Sequence, residues 1–442
     1  MKRSTFICQN CGYRSARWIG RCPSCGEWNS FVEEQEVPLK NNSQIAEFYN
    51  LEEIETKEIR RINCGFENLN RALGGGFVEG QVVLLAGEPG IGKSTLALEL
   101  CTKILNTDGP CLYISGEESL YQLSLRARRL NRSLSGIFAT SNTSLEEILK
   151  LIELKKPKFV VVDSIQTVYL ETIESPPGSV SQVKHCAFKL TKLAKESGCI
   201  VLLIGQVNKE GMIAGPKVLE HVVDTVLYFE GERFGFQRVV KVSKNRFGPS
   251  GEIAVFKMTN RGLEEVADPS AFFLQERTPT AGSVVFAHIE GSRPFLIEVQ
   301  ALTVKALYSS PQRRAEGIDL NRLMLILAVL EKEVKLFTRD FDVFVNVVGG
   351  IELDEPAADL PVAIAVASSL KTIPVGDVVV FGELGLAGEV RSVYLPEERL
   401  KEAARYGFLK AVVPRGVETE FVGEIFQVAS IKQALQACGL IL

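Results

Sequence analysis

Long hydrophobic runs are absent from this sequence. No apolar stretch approaches the roughly 20 residues that a membrane-spanning helix requires, so we expect no membrane-embedded part and no membrane partner. The first eight residues also lack the apolar segment and the small-residue cleavage site of an export signal. We therefore expect a cytoplasmic protein.

An excess of basic residues is absent as well. The 50 lysines and arginines are outnumbered by 54 aspartates and glutamates, and the formal net charge is −4. Any binding of nucleic acid must therefore rely on local patches rather than on overall charge. The length of 442 residues and the hydrophobic fraction of 46% indicate a soluble globular protein of two or three domains.

Four of the ten cysteines lie within the first 25 residues, in two C-x-x-C pairs that are each followed by glycine. The glycine relieves the tight turn, so that backbone N–H groups can face the thiolates. Two such pairs supply the four sulfurs of a closed, structural Zn²⁺ site. Two disulfides or a redox dithiol are the alternatives, and both fit a cytoplasmic chain with a doubled motif less well. The predicted zinc ligands are Cys8, Cys11, Cys22 and Cys25.

The cysteine pairs are surrounded by aromatic and basic side chains. Two interpretations stay open for them: a surface for nucleic acid or a protein partner, or aromatic packing around the metal. We expect residues 1–30 to form a zinc finger that the metal folds, and the polar, acidic residues 31–56 to form a linker. The side chains in question are Tyr13, Arg14, Arg17, Trp18, Arg21 and Trp28.

A glycine-rich segment between a predicted strand and a predicted helix carries the pattern G-x-x-x-x-G-K-[ST]. Its glycines let backbone N–H groups converge on phosphate oxygens, and the following helix directs its positive end toward them. We expect Lys93 to reach the β- and γ-phosphates of ATP, and the Ser94 hydroxyl to bind Mg²⁺. The predicted nucleotide-binding residues are Gly87, Glu88, Pro89, Gly90, Ile91, Gly92, Lys93, Ser94 and Thr95.

Residues 57–268 alternate predicted strands with predicted helices, which is typical of an α/β domain with a doubly wound parallel sheet. The predicted strands are Val82–Ala86, Cys111–Ser115, Ile137–Ala139, Phe159–Val162, Ile200–Gly205, Val222–Phe229 and Val239–Ser243. The predicted helices are Ser94–Leu105, Leu120–Leu130, Leu145–Leu154 and Val180–Ser197.

Polar residues at the ends of these strands are the predicted catalytic groups. Asp163 ends an apolar strand and would hold the Mg²⁺ shell in a Walker B arrangement. Glu117 and Glu118 follow another strand, and either could deprotonate the attacking water while the other caps a helix. Gln206 ends a third strand, where it could sense the γ-phosphate and signal to the next loop.

Cationic segments further along the chain are candidates for contact with DNA. The loop 207–219 contains Lys209 and Lys217 and, like the loop 172–181, is expected to close on a polymer. Two cations in residues 244–248 suit phosphate, either of the DNA backbone or of a neighbouring subunit's ATP. The arginines in 126–132 are more typical of a solvated helix face. Residues 244–248 are Lys244, Asn245, Arg246, Phe247 and Gly248.

Together these motifs make the chain resemble, from end to end, the bacterial RadA/Sms family of recombination-repair ATPases. The resemblance implies a RecA-like P-loop core in a homo-hexameric ring. It implies a DNA-dependent ATPase that moves along single-stranded DNA and processes or branch-migrates branched recombination intermediates with RecA. It also implies that Lys93 and the Lys244–Arg246 motif are required for activity.

Residues 269–442 resemble the α+β Lon protease domain, for example in residues 291–302 and 345–350. Those proteases use a Ser–Lys pair, but here Pro361 lies near the serine position and Glu397 near the lysine position. We therefore expect a non-catalytic domain for ring assembly and further DNA contact, which argues against an ATP-dependent protease. A nucleotide-switched scaffold like the KaiC-type relatives remains the other alternative. The candidate DNA contacts here are Lys305, Arg313 and Arg314.

Overall fold

The computed structural model describes residues 4–8, 12–35, 60–130, 133–206, 218–231, 237–306, 310–418 and 420–442. The chain divides into two compact units, Met1–Glu265 and Val266–Leu442, which we call unit 1 and unit 2. Among the helices of the described ranges, none combines the length and the apolar character needed to cross a bilayer.

The cysteine-containing segment of unit 1 forms a small antiparallel sheet, which we call the ribbon. Gly12 N–H donates to the Cys8 carbonyl and Gly26 N–H to the Cys22 carbonyl, both at 2.9 Å. Gly12 has a φ of 75° and Gly26 a φ of 78°, a conformation that other residues rarely adopt, so the glycine after each cysteine pair permits the tight turn as predicted. The strands are β1 (Ser4–Cys8), β2 (Arg14–Ser15) and β3 (Phe31–Gln35), in the order β2-β1-β3.

A nine-stranded sheet forms the centre of the remaining described part of unit 1. Its apolar strands are buried on both faces, as in parallel sheets covered by helices. A separate hairpin consists of β4 (Arg61–Ile62) and β5 (Phe77–Val78). The sheet strands are β6 (Val82–Gly87), β7 (Cys111–Ser115), β8 (Ile137–Thr140), β9 (Phe159–Asp163), β10 (Ile200–Gln206), β11 (Thr225–Glu230), β12 (Gln237–Asn245), β13 (Ile253–Thr259) and β14 (Gly262–Glu265), in the order β14-β13-β12-β11-β6-β10-β9-β7-β8.

Helices pack on both faces of this sheet over two apolar clusters. The longest, α5, begins where the Ser179 hydroxyl accepts from Gln182 N–H and ends at Gly198, whose φ is 75°. The helices are α1 (Glu67–Ala72), α2 (Lys93–Thr107), α3 (Leu120–Arg129), α4 (Leu145–Lys155), α5 (Val180–Ser197) and α6 (Val218–Val222), with a 3₁₀ turn at Ile165–Thr167.

Most predicted elements of the sheet agree with the structure within two residues, but two predictions are wrong. The sheet is not wholly parallel, because β12 runs antiparallel to β11. Six residues join these strands, fewer than the dozen or so that a parallel crossover needs. The predicted strand Val222–Phe229 begins three residues later, because Leu219, Val222 and Val223 have helical spacing and their apolar side chains pack on the core beside α5.

Unit 2 is an α+β domain with a seven-stranded mixed sheet. Its strands are β15 (Ser283–Glu290), β16 (Arg293–Lys305), β17 (Arg313–Glu316), β18 (Phe341–Val347), β19 (Val379–Val380), β22 (Lys410–Pro414) and β23 (Glu424–Val428), in the order β17-β18-β16-β15-β19-β22-β23, with a hairpin of β20 (Glu383–Leu384) and β21 (Val390–Arg391). Its helices are α7 (Pro269–Leu274), α8 (Leu320–Val334), α9 (Asp359–Lys371), α10 (Pro396–Arg405) and α11 (Ile431–Ala437), with a 3₁₀ turn at Pro356–Ala358.

A buried ionic network stabilises the interior of unit 2. The Arg399 guanidinium is fully buried, pairs with the Glu355 carboxylate and donates to the Ala287 carbonyl at 2.5 Å. His288 Nδ1 lies 2.6 Å from Glu355 Oε1, and its Nε2 lies 3.1 Å from Glu290 Oε2. Burial would raise the pKa of Glu355, but the hydrogen bonds from His288 and Arg399 outweigh burial and lower that pKa to about 2.

Candidate functional site

The glycine-rich loop connects the end of β6 to the start of α2 and requires its glycines. Gly92 has a φ of 118°, and a β-carbon there would lie 2.7 Å from Met258 Cε. A β-carbon on Gly87 would lie 2.5 Å from the Phe229 carbonyl oxygen. The Phe229 carbonyl leaves no space for a side chain at Gly87, and the positive φ of Gly92 would strain any other residue.

A cavity of about 500 Å³ lies over this loop, at the carboxyl ends of β6, β7, β9 and β10. Ligands of open α/β sheets bind at this edge. The structure brings most of the predicted nucleotide and catalytic residues together here. The lining includes Pro89, Gly90, Gly92, Lys93, Ser94, Thr95, Glu117, Glu118, Asp163 and Gln206, together with Arg126, Arg129, Met258, Thr259 and Asn260.

Three of the predicted loop residues support the loop rather than line the cavity. The carbonyls of Gly87 and Glu88 each accept a 2.8 Å hydrogen bond from Lys93 Nζ. Ile91 is buried, and its carbonyl accepts from Arg238 Nε at 2.8 Å. These contacts hold the loop open in a defined shape.

Lys93 is buried under the cavity. Burial lowers the pKa of its ammonium below the ordinary value, and the nearby carboxylates of Asp163, Glu117 and Glu88 act in the opposite direction. The ammonium remains hydrogen-bonded to two carbonyls, which favours its charged form. A cation in this position is suited to phosphate oxygens.

Asp163 is the last residue of β9 and is buried beside the loop. Burial raises its pKa, and hydrogen bonds from Tyr113 and Ser94 act in the opposite direction. The Tyr113 hydroxyl donates to Asp163 Oδ2 at 2.5 Å. The Ser94 hydroxyl and the Asp163 carboxylate are hard oxygen donors in mutual contact, the ligand type that Mg²⁺ prefers.

The two adjacent glutamates have different partners. Glu118 forms an ion pair with Arg126, whereas Glu117 Oε1 accepts from Gln206 Nε2 at 2.7 Å. The charge of Glu117 also acts on both Lys93 and Asp163. Both glutamates line the cavity, with Glu117 acting electrostatically on Lys93 and Asp163 and Glu118 paired with Arg126. The structure also corrects the interpretation of Arg126 as part of a solvated face, since Arg126 lines the cavity.

The ribbon brings three of the four predicted zinc ligands together. The sulfur atoms of Cys8, Cys22 and Cys25 lie within 4.8 Å of one another, and those of Cys8 and Cys25 are 3.7 Å apart. Tetrahedral Zn²⁺ with bonds of about 2.3 Å separates its sulfurs by about 3.8 Å, so this geometry fits the metal. Cys11 lies outside the described residues.

Comparisons with known proteins agree with both sites. Residues 50–212 match the model of an AAA domain, and residues 6–33 match the rubredoxin metal binding domain. The chain is 54% identical over 441 residues to the DNA repair protein RadA of Aquifex aeolicus strain VF5, covering 98% of each chain. It is 45% identical over 449 residues to the DNA repair protein RadA of Bacillus subtilis strain 168, again covering 98% of each chain.

The chain belongs to the RadA family. It is thus a member of a family of DNA repair proteins, with an ATPase domain of RecA-like P-loop fold and an N-terminal metal-binding ribbon. Within unit 2, residues 328–417 of this RadA chain match the model of subunit ChlI of Mg-chelatase. A KaiC-like protein of Pyrococcus horikoshii OT3 superposes on 47% of this chain and 100% of its own, with 19% identity and a TM-score of 0.40, a likeness too low to carry a conclusion.

The motif Lys244–Gly248 of this RadA chain begins inside β12, not after it. A register shift opposite Val226 and Leu227 marks a β-bulge there, which re-aims the side chains that follow. Lys244 Nζ donates to the carbonyls of Glu220 at 2.5 Å and Val223 at 2.8 Å. Lys244 therefore contacts the protein's own backbone.

Arg246 is the more exposed cation of the motif. Its guanidinium lies 3.1 Å from the carboxylate of Asp224, which is buried, while 48% of the Arg246 side chain is exposed. Asn245 donates to the Leu73 carbonyl at 3.2 Å, and its side-chain oxygen accepts from Phe247 N–H at 3.1 Å. A β-carbon on Gly248 would lie 2.8 Å from the Leu73 carbonyl oxygen. These contacts fix the backbone from which Arg246 projects.

The motif lies at the opposite end of the parallel strands from the glycine-rich loop. Asn245 pairs with Thr225, which pairs with Val83 near the start of β6, and Asp224 N–H donates to the Val82 carbonyl. The six residues Val82–Gly87 span about 17 Å of strand. The motif is therefore remote from the cavity of its own subunit.

Several functional contacts could not be predicted from sequence patterns. Tyr113 occupies an ordinary apolar strand, and Asp224 lay inside a predicted strand. Arg238 donates to the Ile91 carbonyl of the glycine-rich loop, although 147 positions separate these two residues in the chain. The predicted contacts Lys209 and Lys217 lie outside the described residues.

In unit 2, Pro361 is buried inside α9 and Glu397 is exposed in the first turn of α10. Of the predicted DNA contacts, Lys305 and Arg314 are exposed. Arg313 instead donates to the carbonyls of Phe341 at 2.5 Å and Thr338 at 2.8 Å. These bonds hold the guanidinium against the protein, and its contact with DNA stays a prediction.

Proposed function

We propose that this RadA family member is a DNA-dependent ATPase that translocates on single-stranded DNA, in the cytoplasm, to process or branch-migrate recombination intermediates with RecA. The hydrogen bond between Glu117 and Gln206 is the observation that carries this proposal. Gln206 is the last residue of β10, and the chain continues from it into residues 207–217, which contain Lys209 and Lys217. A change at the γ-phosphate that breaks this bond would act directly on the start of that segment.

In this proposal the cavity binds ATP with Mg²⁺. Lys93 contacts the β- and γ-phosphates, and Ser94 and Asp163 hold the metal ion. Glu117 orients and deprotonates the attacking water. Its carboxylate lies near Lys93 and Asp163 and accepts a hydrogen bond from Gln206, whereas Glu118 forms an ion pair with Arg126. Glu118 instead orients Arg126 at the rim.

Arg246 is the group that we propose acts outside its own subunit. Arg246 lies at the opposite end of the strands from the cavity, and its side chain is exposed. Both observations support contact with DNA or with a neighbour's ATP. Lys244 supports the backbone beneath it. Contact with a neighbour's ATP requires an assembled ring, which we propose to be a homo-hexamer and which sedimentation of the ATP-bound protein would test.

The first experiment compares ATP hydrolysis with and without single-stranded DNA at low salt, where phosphate contacts are strongest. The wild type is compared with Arg246→Ala and with Arg415→Ala, an exposed arginine of unit 2 that serves as the control. We expect DNA to stimulate the wild type and the control but not Arg246→Ala. If DNA leaves the wild-type rate unchanged, the motor proposal fails and a nucleotide-switched scaffold becomes the better interpretation.

Basal hydrolysis without DNA separates the two targets of Arg246. If Arg246 completes a neighbour's ATP site, Arg246→Ala loses basal hydrolysis, and mixing it with Lys93→Ala subunits restores part of the rate. Restoration occurs because each mixed interface can combine an intact Lys93 with an intact Arg246. If Arg246 contacts DNA, the single variant keeps its basal rate and loses only stimulation.

We also propose that unit 2 has no protease activity. The residues Pro361 and Glu397 support this, since proline provides no hydroxyl nucleophile and position 397 has no lysine amine to accept a serine proton. The measurement is release of peptides from an unfolded protein in the presence of ATP. Cleavage that persists in repurified wild type would contradict the proposal.

A further inference from the structure

The two tryptophans of the ribbon lie largely on its surface. Trp18 is 52% exposed and Trp28 is 67% exposed. The buried apolar cluster of the described ribbon residues consists instead of Cys8, Cys22 and Phe31. More than half of each tryptophan residue is therefore available to a partner.

The two indoles are neighbours on that surface. A β-carbon built on Gly20 would lie 3.7 Å from Trp18 Cη2 and 3.9 Å from Trp28 Cζ3. Backbone pairing fixes their spacing, because Arg21 and Trp28 form a β-bridge and Asn29 N–H donates to the Gly20 carbonyl at 2.8 Å. The rings are thus presented side by side from a paired backbone.

Arginine side chains accompany these rings. The Arg21 guanidinium lies 5.8 Å from the centre of the Trp28 ring and donates from Nε to the Gly26 carbonyl at 3.1 Å. Arg14 and Arg17 are exposed nearby in the sequence, and Glu27 is the single acidic residue of positions 12–30. Positions 12–30 therefore contain three arginines against one glutamate, whereas Glu33 and Glu34 of β3 balance the charge over the whole ribbon.

We propose that this surface, formed by Trp18, Trp28, Arg14, Arg17 and Arg21 and here called the indole face, binds single-stranded DNA. Unpaired bases stack on the indoles, and the arginines contact the flanking phosphates. Exposed π-faces favour single strands, because the bases of a duplex already stack on one another. The positive charge of the arginines favours a phosphate backbone over an apolar protein surface. The choice of DNA rests on the proposed function, whereas the stacking geometry rests on the ribbon itself.

The chain offers an intrinsic probe for this proposal. Trp18 and Trp28 are the only two tryptophans among the 442 residues, so the tryptophan emission of the full-length, zinc-loaded protein reports on the indole face. The experiment titrates this protein with oligothymidylate at low salt and without nucleotide. A fluorophore on the oligonucleotide reports total binding by anisotropy. We expect quenching of tryptophan emission to follow the anisotropy.

Variants test whether stacking contributes to affinity. We expect Trp28→Ala and Trp18→Ala each to weaken binding by at least about fivefold, because one stacked base contributes that much or more. Trp28→Phe should keep most of the affinity. Tyr394→Ala, which removes a 68% exposed ring of unit 2, is the control and should bind as the wild type does. Zinc content of one ion per chain verifies that each ribbon is folded.

Salt dependence tests the arginines separately. Arg17→Gln should reduce the slope of log affinity against log salt concentration by about 0.7, the contribution of one phosphate contact on a single strand. An unchanged slope together with unchanged affinity would remove Arg17 from the proposed surface.

The outcomes distinguish this proposal from the motor proposal. Oligonucleotide that binds by anisotropy without changing tryptophan emission, and equally well to the Trp→Ala variants, overturns the indole face as a DNA site and leaves it for a protein partner. Quenching without DNA-stimulated hydrolysis supports the indole face and contradicts the motor. If no oligonucleotide binds at any salt concentration, both proposals fail.

Discussion

Replacing Tyr113 by phenylalanine removes one oxygen atom beside the proposed Mg²⁺ site. The Tyr113 hydroxyl is buried and donates to Asp163 Oδ2 at 2.5 Å. Burial already raises the pKa of Asp163, and this hydrogen bond is one of the contacts that act against burial. Without it the neutral form of Asp163, which is the weaker metal ligand, persists to higher pH.

The size of the effect follows from the chemistry of the contact. A hydrogen bond to a charged group contributes about 1.5–3 kcal/mol, so its loss should shift the acidic limb of activity upward by about one to two pH units. The sign is fixed, because the lost donor had favoured the carboxylate. At alkaline pH, where Asp163 is charged in both proteins, the rates should converge.

The assay is kcat/KM for ATP hydrolysis against pH at limiting Mg²⁺ without DNA, since this ratio reports groups of the free enzyme. Tyr228→Phe is the matched control, because Tyr228 donates to the Glu220 carboxylate at 2.9 Å without lining the cavity. We expect the profile of that control to match the wild type. If the acidic limb of Tyr113→Phe also coincides with the wild type, Asp163 does not control metal binding in the way proposed.

Three further predictions concern the other sites. Lys93→Ala should abolish phosphate release from ATP while scanning calorimetry shows a folded protein, and a wild-type rate would contradict the assignment of the cavity. Cys25→Ser should lose zinc on dialysis, and an unchanged zinc content by atomic absorption would contradict its role as a ligand. Glu355→Gln leaves the buried Arg399 without its counter-charge, so we expect a loss of about 3–5 kcal/mol, or about 10 °C in the melting of unit 2, at pH 7. That difference should shrink as the pH falls from 4.5 toward 2, because over this range the carboxyl of the unfolded wild type takes up a proton while the folded one, with a pKa of about 2, still resists it; a constant difference would contradict the ionic network.

The glycine-rich loop and the strand ends could be predicted from the sequence because their signals are local. Strand, glycine spacing and helix follow one another between Val82 and Thr107, and parallel strands bring their carboxyl ends to one edge. The antiparallel direction of β12 could also be predicted from the sequence, because a six-residue connection is too short for a parallel crossover.

The partners inside the site could not be predicted in the same way. Tyr113 and Asp163 are 50 residues apart in the chain, and the sequence around a tyrosine in an apolar strand does not indicate which residue its hydroxyl contacts. The sequence spacing of Arg126 is that of a solvated helix face. Only the three-dimensional structure shows that Arg126 pairs with Glu118 and lines the cavity. The choice between Glu117 and Glu118 depended on three-dimensional neighbours for the same reason.

The two carbonyls that hold Lys93 have a consequence for how nucleotides are distinguished. An ammonium has three donors, and Gly87 and Glu88 use two, so one remains for a phosphate oxygen. Immobilising a lysine costs about 2 kcal/mol of side-chain entropy. Because Lys93 is already held by two carbonyls in the folded protein, this entropy is lost on folding rather than on ligand binding. Under the proposed function, ATP and ADP would both profit from this preparation at the β-phosphate, and ATP alone would also profit at the γ-phosphate. We expect the pair of Glu117 and Gln206 to add to the discrimination between ATP and ADP.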